Sequence, residues 1–179
     1  MNNVAVFLDR DGVINKPIIK NRKPFAPTTH NEFAIYPEAA ACVLKMHSAG
    51  FRVIIVTNQK DVGKKIIAQS ELEEMHASIH EKLKIDEIKV CICTDECACY
   101  KPNPGMLLEA KNDWNLDLKK CFIIGDTWRD IGAGFNVGCK TILIERCYNM
   151  PMPYTPNFIV KNLQQATSIV LKHSLKERK

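Results

Sequence analysis

Carboxylates, a hydroxyl and a lysine come after short apolar runs at four places in this chain of 179 residues. In chain order they are Asp9 and Asp11, Thr57, Lys101, and Asp126 with Asp130. Each of them alone is a common feature of a turn or a helix cap. Gathered at one edge of a fold, the carboxylates would repel one another unless a cation lay among them. The combination therefore predicts a cation-dependent site.

The apolar runs themselves have the length and composition of strands buried on both faces of a parallel sheet. The expected strands are residues 4–8, 51–56, 88–92, 121–124, 140–144 and an edge strand at 158–160. Helical periodicity separates them at residues 37–49, 70–83, 104–114, 128–137 and 163 to about 173. This alternation predicts an α/β fold with a doubly wound, Rossmann-like parallel sheet, in which ligands bind beyond the carboxyl ends of the strands.

Four local features refine this expectation. Residues 15–36 are polar, carry prolines and are too long for an ordinary connection, so we expect a flap or hairpin near the site. Residues 150–156 carry three prolines and should form an extended surface connection. Ser70 and Glu73 have capping-box spacing at the start of the second helix. His76 and His80 share a face of that helix, which we expect to be solvated.

Composition and charge indicate an ordinary globular protein, with one domain spanning residues 1–179. The chain is 46% hydrophobic and 25% charged, and its net charge is +5. The excess positive charge lies mainly in residues 16–23 and 172–179, which favours a solvated surface that attracts small anions over a nucleic-acid partner. No signal-like segment and no apolar run of about 20 residues is present, so we expect a cytoplasmic protein without a membrane partner.

Four of the eight cysteines fall within nine residues, at Cys91, Cys93, Cys97 and Cys99. Four thiolates can complete a tetrahedral Zn²⁺ site, and such a site leaves no open position for a substrate. We therefore expect a structural zinc loop at about residues 91–100. Free thiols, or two disulfides in strained short loops, are the alternatives. The other cysteines should be small apolar fillers: Cys42, Cys121, Cys139 and Cys147.

Four segments of the sequence resemble the four motifs of the haloacid-dehalogenase-like phosphatases. They are Phe-Leu-Asp-Arg-Asp-Gly-Val at 7–13, Val-Thr-Asn-Gln at 56–59, Lys-Pro at 101–102 and Ile-Gly-Asp-x-x-x-Asp at 124–130. Residues 9–15, 57–59 and 97–106 are similar to the branch that holds heptose bisphosphate and histidinol-phosphate phosphatases. That branch has a short zinc-binding loop instead of a large cap. The resemblance implies Mg²⁺-dependent hydrolysis of a small phosphorylated metabolite, a heptose 1,7-bisphosphate first, with histidinol phosphate or another sugar phosphate as the alternative.

The resemblance also implies two catalytic carboxylates. Asp9 would be the nucleophile, forming an aspartyl-phosphate that splits one difficult displacement into two easier ones. Asp11 would protonate the leaving alcohol and then deprotonate the attacking water. Mg²⁺ would be bound by Asp9, by the backbone carbonyl of Asp11 and by Asp126, since this hard cation prefers oxygen ligands.

For the remaining motif residues the resemblance implies supporting roles. Thr57 and Lys101 would hold the phosphoryl oxygens and offset their charge. Asn58 and Gln59 would bind the substrate beside Lys101. Asp130 would support Lys101 or a water molecule on the metal.

The sequence departs from the branch pattern in two places. Cys93 stands where a histidine ligand is usual, and the connection to Cys97 is shorter. Tyr100 stands where the branch has an arginine that can bind a second phosphate or a sugar oxygen. Compensating charge could come from Arg10, Lys60, Lys64 or Arg129.

Two further alternatives and one assembly prediction follow from the sequence. One alternative is a zinc-stabilised binding or scaffolding module that has kept the fold and lost catalysis. The other, nucleic-acid end processing, rests only on the net charge. Trp128 is either a packing anchor or a wall of the substrate pocket. We expect a monomer.

Overall fold

The computed structural model describes residues 3–95, 97–148 and 150–177. Its strands are β1 (Ala5–Leu8), β2 (Ile18–Lys20), β3 (Lys23–Phe25), β4 (Arg52–Asn58), β5 (Glu87–Cys91), β6 (Phe122–Gly125), β7 (Lys140–Ile144) and β8 (Phe158–Val160). Its α-helices are α1 (Ala39–Ser48), α2 (Lys60–Gly63), α3 (Gln69–Lys82), α4 (Gly105–Trp114), α5 (Trp128–Val137) and α6 (Leu163–Glu177). Short 3-10 turns lie at His30–Glu32 and Leu118–Lys120.

Six strands form one parallel sheet in the order β5-β4-β1-β6-β7-β8. The central strand β1 pairs with β4 on one side and β6 on the other, so that Leu8 lies between Ile55 and Ile124. The chain therefore winds outward from β1 in both directions, which confirms the predicted doubly wound α/β fold.

Both faces of the sheet are covered, which explains the continuous apolar strands. Side chains of β1 alternate between two cores, with Val6 and Leu8 in one and Ala5 and Phe7 in the other. The first core contains apolar residues of α1, α3 and α6, and the second contains residues of α4 and α5. Burial on both sides makes β1 a rigid base for the residues that follow it.

The predicted hairpin within residues 15–36 is present as the antiparallel pair β2 and β3. Its turn uses Asn21 and Arg22 with φ of 51° and 58°, the two positive values that a tight two-residue hairpin requires. The proline-bearing residues 150–156 have no regular secondary structure and are mostly exposed, as expected.

Two local predictions were wrong and one short helix was missed. Helix α3 begins at Gln69 after an Ala68 cap that makes no side-chain hydrogen bond, so Ser70 and Glu73 do not form a capping box. The short helix α2 directly after β4 was not predicted. The C-terminal helix extends to Glu177, beyond the expected end near residue 173. In the described part of the chain, no helix combines the length and apolar character needed to cross a membrane.

Candidate active site

Asp9 and Asp126 meet because β1 and β6 are neighbours and both end at the same edge of the sheet. The Asp9 amide continues the strand pairing by donating to the Ile124 carbonyl at 2.9 Å. Carboxylate oxygens of Asp9, Asp126 and Asp130 all lie within 4.8 Å of one another. We call these three residues the acidic cluster.

The turn after Asp9 brings the backbone against this cluster. The Arg10 carbonyl accepts hydrogen bonds from the amides of Val13, Ile14 and Asn15, which wraps the chain around it. Gly12 has φ of +88°, and a side chain there would collide with the Asp126 carboxylate. A glycine is therefore required at this point of close approach.

Lys101 supplies the positive charge within the acidic cluster. Its Nζ donates to Asp9 Oδ1 at 2.9 Å, to Asp130 Oδ1 at 2.5 Å and to the Val56 carbonyl at 2.7 Å. Its side chain is only 2% exposed. Burial alone would lower the pKa of Lys101, but the Asp130 and Asp9 carboxylates outweigh it and raise that pKa, so the ammonium stays charged.

One ammonium does not balance three carboxylates. Burial first, and the Asp130 carboxylate next, raise the pKa of Asp9 to about 7 against the opposing effect of Lys101. Burial and the charge of Asp9 likewise raise the pKa of Asp126 well above its ordinary value. The site therefore favours any added positive charge.

The oxygens of Asp126 show where a cation fits. Oδ2 accepts a hydrogen bond from the Tyr148 hydroxyl at 2.8 Å. Oδ1 is buried and has no hydrogen-bond partner among the described residues. A buried carboxylate oxygen without a partner is unfavourable, and a hard divalent cation such as Mg²⁺ would satisfy it. The acidic cluster thus fits such a cation.

Asp11 lies beside the acidic cluster, but its carboxylate is not part of it. That carboxylate accepts hydrogen bonds from Arg10 Nη2, Asn15 Nδ2 and Gln59 Nε2, each at 2.9 Å. This position agrees with the prediction that Asp11 contributes its backbone carbonyl, and not its side chain, to the cation site. Its side chain is 16% exposed and lines the pocket described below.

The Arg10 guanidinium that holds Asp11 is completely buried. It packs over the Phe33 ring at 5.5 Å and lies 3.4 Å from His76 Nε2. Burial, and then the charge of Arg10, lower the pKa of His76 to about 4, so the imidazole is neutral at pH 7. The expectation that His76 belongs to a solvated helix face was wrong, whereas His80 is exposed.

The end of β4 contributes Thr57, Asn58 and Gln59. The Gln59 amide nitrogen bridges the Thr57 hydroxyl and the Asp11 carboxylate, both at 2.9 Å. The Asn58 side chain pairs with the backbone of Lys101, accepting from its amide at 3.0 Å and donating to its carbonyl at 3.1 Å. Asn58 therefore positions Lys101, in addition to lining the pocket where we expected it to meet the substrate.

Asp130 ends the motif that begins at Ile124. Its Oδ2 accepts from the Thr127 amide at 3.2 Å and the Thr127 hydroxyl at 2.8 Å, which caps the start of α5. Its Oδ1 accepts from Lys101, the arrangement expected of a residue that supports this lysine. Because both oxygens have protein donors, Asp130 is the least available of the three carboxylates for a cation.

A pocket of about 240 Å³ opens onto these residues. Asp9, Asp11, Lys101 and Asp126 line it, together with Phe25 of the hairpin and, around the sides, Lys60, Asp61, Tyr100 and Arg129. Lys60 Nζ lies 6.0 Å from the Tyr100 ring centre. Trp128 is absent from the described lining and stacks on Tyr154 at 6.4 Å, which favours the packing-anchor alternative.

The four clustered cysteines converge as their spacing predicts. Their Sγ atoms all lie within 4.8 Å of one another. Cys91 with Cys99 and Cys93 with Cys97 are the closest pairs, at disulfide-bonding proximity. Sγ atoms of different pairs also approach to 3.3–3.6 Å. Tetrahedral Zn²⁺ with Zn–S bonds of about 2.3 Å needs sulfurs roughly 3.8 Å apart. The distances between pairs come close to that spacing, whereas the two closest pairs have the proximity of disulfides.

The cysteine loop is tied to the start of α4. The Asn103 side chain donates to the Cys97 carbonyl at 2.8 Å, and the Gly105 amide donates to the Ala98 carbonyl at 2.8 Å. Lys101 lies between these anchors, so the loop helps to place it. Outside the loop, Cys42, Cys121 and Cys139 are buried fillers as expected, but Cys147 is exposed and that prediction was wrong.

Comparison with known proteins agrees with this arrangement. A model of the HAD-hydrolase-like family matches residues 98–166. The chain is 33% identical over 146 residues to a D-glycero-beta-D-manno-heptose-1,7-bisphosphate 7-phosphatase of Neisseria meningitidis, covering 78% of this chain and 75% of that protein. The chain belongs to the haloacid-dehalogenase-like hydrolases.

Other relatives of this hydrolase carry the same name. A Pseudomonas aeruginosa D-glycero-beta-D-manno-heptose-1,7-bisphosphate 7-phosphatase is 28% identical over 165 residues, covering 86% of this chain and 90% of that enzyme. The D,D-heptose 1,7-bisphosphate phosphatase of B. bronchiseptica, solved with magnesium and phosphate, shares the fold. Its TM-score is 0.76 at 23% identity, covering 96% of this chain and 99% of that one. The hydrolase is thus on a phosphatase branch of its family.

Sequence reasoning missed two side chains of the loop after β7 in this hydrolase. Arg146 Nη2 donates to the Gly12 carbonyl at 2.7 Å, and the Tyr148 hydroxyl binds Asp126. The site residues named from the sequence follow β1, β4, β5 and β6, whereas the rule that ligand-binding residues follow strand ends holds for every strand of such a sheet. Applied to β7, it would have pointed to both residues.

Proposed function

We propose that this hydrolase is a Mg²⁺-dependent phosphatase that releases phosphate from a small sugar phosphate, with D-glycero-D-manno-heptose 1,7-bisphosphate as the first candidate. The observation that carries the proposal is the buried ammonium of Lys101 between the carboxylates of Asp9 and Asp130. Beside them, Asp126 Oδ1 has no hydrogen-bond partner in the part of the chain that the structure describes. The names of the relatives support the choice of substrate.

Asp9 is the proposed nucleophile. The described hydrogen bonds from the Arg10 amide and Lys101 both end on its Oδ1, which leaves Oδ2 for attack on phosphorus. In the first step a bond forms between this oxygen and phosphorus while the bond from phosphorus to the sugar oxygen breaks. Lys101 and the Thr57 hydroxyl offset the charge on the phosphoryl oxygens.

Asp11 is the proposed acid and base. It gives a proton to the leaving sugar oxygen, and it then takes a proton from the water that attacks the phosphorus of aspartyl-phosphate. That second attack releases phosphate and restores Asp9. Arg10, Asn15 and Gln59 hold the Asp11 carboxylate at the edge of the pocket before the reaction.

Mg²⁺ is the proposed cation for the acidic cluster. Asp9, Asp126 and the backbone carbonyl of Asp11 would hold it. When bound, it offsets the negative charge of the phosphoryl group and of the two carboxylates.

Zn²⁺ is the proposed ion for the cysteine loop. Cys91, Cys93, Cys97 and Cys99 would hold it in a closed tetrahedral site with a structural function. We favour zinc over two disulfides because thiolates from one nine-residue loop converge on one another. A cytoplasmic location, where disulfides are rare, would agree with this choice and stays a prediction.

The rest of the pocket bears on which sugar phosphate is hydrolysed. Tyr100 offers a ring face and one hydroxyl where the branch has arginine, and Lys60 and Arg129 supply positive charge around it. A second phosphate or a sugar hydroxyl could be held by these side chains. Histidinol phosphate and other sugar phosphates remain alternatives. A monomeric state also stays a prediction.

Phosphate release from a panel of sugar phosphates, histidinol phosphate and nucleotides, with and without Mg²⁺, tests the proposal. We expect release to require Mg²⁺ and to fall by at least about 10⁴-fold in Asp9→Asn, because amide oxygen is a poor nucleophile. Asp61→Asn is the matched control, since Asp61 lines the same pocket outside the acidic cluster. Release that survives Asp9→Asn refutes the mechanism, and no release from any ester favours a binding module.

A further inference from the structure

The loop after β7 contacts Asp126 and the turn at Gly12, both at the proposed cation site, although the loop lies outside the four motifs. Tyr148 binds Asp126, and Arg146 binds the carbonyl of Gly12. Asp126 and Gly12 are the two residues whose close approach leaves no room for a side chain at position 12. The loop is therefore placed to hold this contact together.

The hydrogen bond from Tyr148 decides which Asp126 oxygen remains available. A phenol hydroxyl is protonated at neutral pH, and an ionised carboxylate can only accept, so Tyr148 is the donor. With Oδ2 engaged at 2.8 Å, rotation of the carboxyl group would break a buried hydrogen bond. Oδ1 is thereby held in a buried position without a partner among the described residues.

We infer that Tyr148 is a positioning residue for the cation: it fixes the Asp126 carboxylate so that Oδ1 is presented to the ion. Arg146 contributes by fixing the Gly12 turn against the same carboxylate. The inference rests on the proposed Mg²⁺ site. Partners that orient metal ligands in this way typically change metal affinity by about 10–100-fold when they are removed.

Tyr36 provides a matched control within the same group of side chains. The Arg146 guanidinium packs over its ring at 5.2 Å, and both tyrosines are half-buried. The described hydrogen bond to Asp126 comes from Tyr148. Removing either hydroxyl therefore perturbs the same surroundings, but only Tyr148→Phe removes the bond to Asp126.

Titration calorimetry of Mg²⁺ binding without substrate tests the inference. We expect the Kd for Mg²⁺ to rise at least about tenfold in Tyr148→Phe and to change less than about twofold in Tyr36→Phe. Thermal unfolding without Mg²⁺ should remain cooperative for the wild type and both variants, which shows that the folds are intact. The midpoint of Tyr148→Phe should fall by only the few degrees that one lost buried hydrogen bond costs. Turnover of Tyr148→Phe should recover as Mg²⁺ approaches saturation.

Two outcomes separate this inference from the proposed function. Wild-type Mg²⁺ affinity in Tyr148→Phe, in a protein that still binds Mg²⁺ and releases phosphate, overturns the role of Tyr148 alone. A wild-type protein that neither binds Mg²⁺ nor releases phosphate overturns the proposed function, and the inference with it.

Discussion

The acidic cluster and the cysteine loop are the two proposed metal sites, and they are assembled differently. The acidic cluster joins residues more than a hundred positions apart, at the ends of two neighbouring strands of the sheet. The cysteine loop takes its four thiols from nine consecutive residues, of which only Cys91 belongs to a strand. The first site is positioned by the fold, whereas the second depends mainly on its own ligands.

The difference predicts that the two metals act on different properties. Loss of Mg²⁺ should stop catalysis and leave the fold intact, because the sheet and Lys101 already hold the carboxylates. Loss of Zn²⁺ should release the loop, because short irregular segments have little other stabilisation. Lys101 connects the two sites, since it follows Cys99 by two residues and its ammonium lies in the acidic cluster.

Replacing Lys101 breaks this connection and should have the largest effect. Lys101→Met leaves Asp9 and Asp130 without their buried counter-charge, and removal of one partner of a buried pair costs about 3–5 kcal/mol of stability. Turnover should fall by about 10²–10³-fold through lost charge stabilisation. Phosphate release and thermal unfolding check both effects. Lys60→Met is the control for stability, because Lys60 lies on the pocket wall outside the acidic cluster.

Part of the stability lost in Lys101→Met should return when Mg²⁺ is added, because the ion replaces some of the missing positive charge. Lys60→Met should show wild-type stability with and without Mg²⁺. A Lys101→Met protein as stable as the wild type without Mg²⁺ would contradict the charge balance described for the acidic cluster.

Removing zinc should have the next largest effect. If zinc contributes about 3 kcal/mol, its removal with a zinc-selective chelator lowers the Tm by roughly 6–12 °C. Turnover should fall at least about tenfold because the loop no longer places Lys101. Metal analysis should find about one zinc per chain, and Cys99→Ser should abolish it while Cys147→Ser keeps it. Two intact disulfides and no zinc in protein purified without oxidant would contradict the proposal that the cysteine loop binds zinc.

The smallest predicted effect concerns pH. In the absence of Mg²⁺ the pKa of Asp9 is raised from an ordinary value near 3.8 to about 7, so the folded protein holds this proton more tightly than the unfolded chain. The resulting stability is complete below about pH 4 and is lost as the pH rises through 7. The slope is at most about 1.4 kcal/mol, or roughly 3–6 °C in Tm, per pH unit.

Saturating Mg²⁺ should flatten the pH dependence of stability. Without Mg²⁺, Asp9→Asn should reduce it to the part that comes from Asp126, whose pKa is also raised. The Tm between pH 5 and 8 should be measured for the wild type with and without Mg²⁺ and for Asp9→Asn without Mg²⁺. Equal slopes with and without Mg²⁺ would show that Asp9 does not interact with the ion.

Much of this arrangement followed from the sequence, for a physical reason. Continuous apolar runs such as residues 4–8 identify buried parallel strands, and parallel strands bring their ends to one edge. The adjacency of Asp9 and Asp126 therefore follows from the pairing of β1 with β6, and Lys101 reaches them from the loop after β5, which ends at the same edge. The cysteine loop could be predicted equally well, because its four possible ligands lie within nine residues of the sequence.

Features that depend on side-chain conformation could not be predicted in this way. Nothing in the local sequence shows that Asn58 turns toward the backbone of Lys101, or that Tyr148 reaches Asp126. The predicted capping box at Ser70 failed because α3 begins one residue earlier, at Gln69, where no side chain caps it. Helix α2 is only four residues long, too short for a periodic pattern to indicate it.

Trapping the phosphorylated residue shows directly whether Asp9 is the nucleophile. Asp11→Asn should slow hydrolysis of the intermediate, so that acid quenching after mixing with substrate and Mg²⁺ captures it. Borohydride reduces an acyl phosphate to an alcohol, and mass spectrometry of the peptides then locates the modified residue. We expect homoserine at position 9. Modification of Asp126 or Asp130, or phosphate release without any modified aspartate, would contradict it.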